Sequence, residues 1–159
     1  MARAKEFDRD AVLDPAIAVF ASHGFAGAST EMLLQAMGIS RQSMYDTFGD
    51  KHALFVRALQ RYNERSISSL VEAIASAPSG YEGIEAALMA FVGRPAPEAL
   101  RGCMGVMSTC EFGPGDQDIA LENSGANARL VAVLRKAILA GQREGAAIEF
   151  RSERARPVR

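Results

Sequence analysis

The chain is poor in the residues that most often carry chemistry. Two cysteines and two histidines stand among its 159 residues. Cys103 and Cys110 form no CxxC pair, and no Cys/His cluster with metal-ligand spacing occurs, which argues against a metal site. His23 precedes a glycine and His52 falls in the first turn of a helical pattern, so both read as surface or packing residues. A phosphate-binding glycine loop, a nucleophile elbow and an HExxH pair are all missing. These gaps disfavour an enzyme and imply no cofactor. No apolar run approaches the roughly 20 residues that span a bilayer. No secretory pattern opens the chain either, so a soluble protein of the reducing cytoplasm is expected.

Strong net charge is lacking too: the formal value is −1. That average hides three blocks. Residues 1–65 carry eight basic and eight acidic side chains; residues 66–128 carry two and eight; residues 129–159 carry eight and three. An acidic middle avoids DNA, so any contact with phosphates must come from one end. Ordinary solvated helix faces would produce the same blocks.

Strand-like alternation is a further absence. Apolar residues recur instead at three- and four-residue steps, the mark of an all-α chain. The first stripe is Val12, Leu13, Ala16, Ile17, Val19 and Phe20, with Gly24 placed as a left-handed cap. Asp14-Pro15 either kinks this helix or starts it, because proline cannot donate within a helix. Ser29 or Thr30 caps a short helix from Glu31 to Met37, which Gly38 stops. Ile39 plugs the turn. Ser40 caps the next helix, from Arg41 to about Thr47, with Met44 and Phe48 as its core residues. Gly49-Asp50 stops it and caps a long helix from Lys51, which ends before Pro78.

Beyond Pro78-Ser79-Gly80, the stripe Tyr81, Ile84, Leu88, Phe91 and Val92 predicts another helix, with a break at "GRPAP", 93–97. Leu100, Cys103, Met104 and Met107 form the next stripe. A last helix covers about Gln117 to Arg143, with Ile119, Leu130, Val131, Leu134 and Ile138 on one side. The tail "RSERARPVR" has no apolar pattern. Domain bounds follow: 1–50, a linking helix 51–77, a helical domain 78–150 and a basic tail 151–159.

Two short helices about a glycine turn make a helix-turn-helix, whose second helix fits a major groove. Arg41, Gln42 and Ser43 lie on its first turn, where base edges are met. Tyr45 and Thr47 can donate hydroxyls to phosphates. Thr30 and Lys51 open helices whose free amides attract anions. Spacing alone fits a helical hairpin with solvated polar residues equally well.

The ordered strings "AIAVFASHGFAGAST" and "MGISRQSMYDTFGDKHALFVRAL" carry more. Their Phe-x-x-x-Gly-Phe, Gly-Ile-Ser turn, Met-Tyr pair and Phe-Gly-Asp-Lys-x-x-Leu ending resemble the DNA-binding domain of the TetR family of bacterial transcriptional regulators. The resemblance covers about a third of the chain, Val12 to Leu59. It implies an N-terminal three-helix helix-turn-helix domain followed by an α-helical ligand-binding and dimerisation domain, here shortened at its C-terminal end. Carried onto matching positions, the DNA contacts fall on Thr30, Arg41, Gln42, Ser43, Tyr45, Thr47 and Lys51. Asp46 departs from the pattern and would repel a phosphate it faced. "RGCMGVMSTCEF" is similar to a helix of one broad subgroup.

The reading that follows is a repressor on a near-palindromic operator in double-stranded DNA, released by a small apolar effector. It would act as a homodimer through the helix 117–143. Met89, Phe91, Met104, Met107 and Phe112 are the candidate pocket, though the same side chains would fill a core. Cys103 and Cys110 read as buried small apolar residues, with a thiol-based redox-responsive regulator as the alternative. The other alternative is a helical protein- or ligand-interaction module that no longer binds DNA productively.

Overall fold

A computed structural model describes residues 9–92, 103–143 and 145. Among the described residues there are seven α-helices and no strand. They are α1 (Arg9–Gly27), α2 (Thr30–Met37), α3 (Arg41–Phe48), α4 (Lys51–Ala75), α5 (Gly80–Val92), α6 (Met104–Phe112) and α7 (Gln117–Arg143); a 3₁₀ turn, Gly113–Gly115, joins the last two. The break expected at 93–97 and the tail 151–159 lie outside the described residues.

Local chemistry sets the boundaries of α2 to α4. The Ser29 hydroxyl accepts from the Met32 amide, the Ser40 hydroxyl from the Ser43 amide at 3.1 Å, and the Asp50 carboxylate from the Ala53 amide at 2.7 Å. Each satisfies a first-turn donor that has no partner inside its helix. Gly38 stops α2 in the left-handed region (φ 66, ψ 28), returning its amide to the Leu34 carbonyl.

α1 corrects one expectation and refines another. It begins at Arg9 and runs through Pro15, so Pro15 does not start it. The break falls at Gly24 instead (φ 69, ψ −178), and one more helical turn follows, closed by the Ala28 amide on the Gly24 carbonyl.

The chain divides into two compact units. The first joins residues 1–64 to 100–124. Its core holds Phe20, Leu33, Met44, Leu54, Phe55, Leu59, Met104 and Ile119, with Ile39 and Phe48 packed against them. Burying each large apolar side chain stabilises by about 1.5–3 kcal/mol. That burial matters most for α3, because an eight-residue helix is marginal in water and Met44 is its one fully buried side chain.

The second unit joins residues 65–99 to 125–159. Its described part buries Leu70, Ala87, Ala126 and Ala137. A Cβ at Gly80 would stand 2.4 Å from the Gly141 amide nitrogen, so α5 and α7 meet backbone to backbone there. The helix expected from Tyr81 to Val92 is present, but not all of its apolar stripe faces inward. Leu88 is 58% exposed and Tyr81 is exposed as well, while Gly83 and Ala87 face inward. The expected burial of both cysteines is also overturned: Cys103 and Cys110 are exposed, because α6 buries Met104 and Ser108.

Candidate nucleic-acid interface

α3 is held by Met44 and Phe48, and the rest of its surface is turned outward. Arg41, Gln42, Tyr45 and Asp46 are exposed, Tyr45 at 42% despite its ring. Ser43 and Thr47 are half-buried. Ser43 belongs partly to the cap, with its hydroxyl 2.9 Å from that of Ser40. Arg41 is paired with Glu31 of α2. Gln42 donates its amide to Asp46 at 2.7 Å, so Asp46 is engaged along its own helix. The Glu31 carboxyl is held below its ordinary range, first by a backbone amide and then, against partial desolvation, by the Arg41 charge.

The other two expected contacts sit at helix starts. Thr30 is the first residue of α2 and Lys51 the first of α4. The Lys51 ammonium lies over the Phe25 ring, 4.4 Å from its centroid, a cation–π contact that directs a flexible side chain. The seven expected residues therefore lie on α3 and on the first residues of α2 and α4.

The residues of the expected pocket set belong to both units. Met104 is in the core of the first unit, Met107 and Phe112 are half-buried there, and Met89 is exposed in the second unit. The side chain of Phe91 lies outside the described residues. An open cavity of about 300 Å³ in the first unit is lined by other residues, among them Thr47, Phe48, Arg57 and Arg61. Arg61 donates to Asp14 at 2.7 Å and approaches Asp10 at 3.5 Å.

Two residues had no sequence signal for what they touch. The Glu111 carboxylate, at the end of α6, accepts from the Phe25 amide at 2.8 Å and the Ala26 amide at 2.6 Å. Asp116, between the 3₁₀ turn and α7, lies 2.6 Å from His52 Nε2 and also accepts from the Ile119 amide at 3.1 Å. Asp116 follows a glycine-proline-glycine stop, so its capping role was readable; its partner in α4 was not. Asn123 of α7 faces α6. Its amide donates to the Ser108 hydroxyl at 2.9 Å and the Gly105 carbonyl at 3.3 Å.

Residues 12–58 match the family model described as bacterial regulatory proteins, tetR family. Over 121 residues the chain is 37% identical to the uncharacterized HTH-type transcriptional regulator YezE of Bacillus subtilis, covering 76% of this chain and 62% of that one. Over residues 12–58 the chain is thus similar to the TetR family. It spans about six-tenths of the length of the curated relatives it matches. A TetR-family regulator structure from Agrobacterium tumefaciens shares the fold at TM-score 0.74 and 19% identity, over 86% of this chain and 72% of that one. A cysteine mutant of the TetR-family regulator CifR, complexed with 26-bp double-strand operator DNA, is 25% identical with a TM-score of 0.53. That match covers 98% of this chain and 100% of CifR.

Proposed function

We propose that this chain is a sequence-specific DNA-binding transcriptional regulator, a repressor that leaves a near-palindromic operator when a small apolar molecule binds. The observation that carries this reading is the outward face of α3. A helix with Arg41, Gln42 and Tyr45 exposed suits a major groove, and Thr30 and Lys51 stand at the starts of α2 and α4 to take phosphates. The bound operator of the CifR complex supports the same use of the fold. Such a regulator works in the cytoplasm and has no catalytic step.

A near-palindromic operator calls for two copies. Val131, Ile138 and Leu139 are exposed on α7, and they suit a homodimer through helix 117–143. The effector shifts the protein between states only by its difference in affinity for them.

Duplexes enriched from a random pool by the purified chain test the reading. Affinity should fall steeply with salt, and Tyr45→Ala with Lys51→Ala should abolish enrichment. Enrichment unaffected by that pair rules the reading out. A second reading, control by thiol oxidation, draws on the exposure of Cys103 and Cys110. DNA affinity that is unchanged after peroxide treatment removes it.

A further inference from the structure

The three DNA-facing helices share their compact unit with a segment outside the family match, residues 100–124. Two carboxylates of that segment reach back to the ends that matter. Gly24 breaks α1 and leaves the Phe25 and Ala26 amides at the start of a new helical turn. In most helices a Ser, Asp or Thr at that position would take such donors. Gly24 has no side chain, and Glu111 supplies the acceptor from α6, one oxygen to each amide. A Cβ at Gly24 would come within 3.1 Å of that carboxylate. The second carboxylate, Asp116, grips His52, the residue after Lys51. Between the two grips lie the rings of Phe25, His52, Phe55 and Phe112, with Phe25 and Phe112 centroids 4.9 Å apart. The Lys51 ammonium rests on this same cluster.

We propose that Glu111 and Asp116 are positioning residues for DNA binding: they hold the corner before α2 and the start of α4 so that Thr30 and Lys51 meet the phosphates together. Neither carboxylate touches DNA. Without them a smaller fraction of molecules presents the binding-competent arrangement, and the apparent affinity falls by that fraction. This inference rests on the DNA-binding reading above.

The sign of the effect separates positioning from simple charge. Glu111→Gln and Asp116→Asn each remove a negative charge, which by long-range electrostatics alone tightens binding to a polyanion. Positioning predicts the opposite. Each variant of the full chain, measured per active molecule on a duplex enriched by the unaltered protein, should bind about tenfold more weakly, the scale of a lost charge-assisted hydrogen bond. The salt slope should stay unchanged, because the bound complex keeps its phosphate contacts. Lys51→Ala should instead lower the slope by about 1. In DNA-free protein, amide exchange at Phe25 and Ala26 should accelerate in Glu111→Gln. Equal or tighter binding, or weaker binding with unchanged exchange at those two amides, overturns the positioning role. Failure of the unaltered chain to enrich any duplex overturns the DNA-binding reading and this inference together.

Discussion

The two units of the chain spend their large apolar side chains in opposite ways. The first buries Phe20, Leu33, Met44, Leu54, Phe55 and Leu59 and exposes few, chiefly Tyr45, Val106 and Leu121. The second packs on Gly80, Gly83, Ala87 and Gly141 and exposes Val71, Leu88, Met89, Val131, Ile138 and Leu139. A unit that closes its own core leaves a mostly polar surface. A unit that leaves Leu, Met and Ile in water has apolar surface still to bury. The contrast accords with the proposal above, in which the first unit meets DNA and the second meets another copy.

The largest test of this contrast is Phe20→Ala. Phe20 is fully buried and meets Phe55 edge to face at 4.9 Å. Its loss should cost about 3–5 kcal/mol, the range for aromatic truncation in a packed core. Denaturant unfolding followed by circular dichroism measures it. Leu88→Ala in the second unit, at an exposed site, should stay within about 0.5 kcal/mol. Equal costs at the two positions would erase the contrast.

The next effect is smaller and lies within the second unit. Gly80→Ala places a methyl where the Gly141 backbone already stands, and backbone cannot rotate aside. We expect about 1–3 kcal/mol of destabilisation, the usual cost of overpacking. Gly115→Ala, where a Cβ meets nothing within 4 Å, is its control. A neutral Gly80→Ala would mean that α5 and α7 do not depend on that close approach.

What could be read from the sequence follows the same division. Gly38, Gly49, Ser40 and Asp50 could be placed because caps and stops are decided by one or two neighbouring residues. Met44 and Phe48 followed from the 3.6 period of a helix with one buried face. α5 could not be read this way. Its inward face is built from Gly83 and Ala87, and a reading that follows large apolar residues lands on Leu88 and Tyr81. Cys103 and Cys110 failed for a related reason, since Met104 and Ser108, one turn apart, define the buried line of α6. The outward face of α3 was legible from the turn and its polar run. Glu111 was not, because its partner lies 86 residues away and no local pattern encodes such a contact.

The smallest expected effect is one of pH, and it returns to the first unit. Asp116 is held below the ordinary carboxylate range. The Ile119 amide is the largest cause, desolvation opposes it, and His52 adds to the lowering. A carboxyl lowered in the folded chain contributes stability that is fully present above its unfolded value, about 3.9, and that is lost as pH falls through the folded value. Acid therefore removes the grip on His52 together with the α7 cap. Asp116→Asn cannot titrate there, so its thermal midpoint should fall less steeply between about pH 4 and pH 2 than that of the unaltered chain. The difference should be slight, because water screens a pair that is only partly buried. Superimposable midpoint curves for the two proteins would show that Asp116 titrates alike in folded and unfolded chains, and its grip on α4 would then contribute nothing that acid can remove.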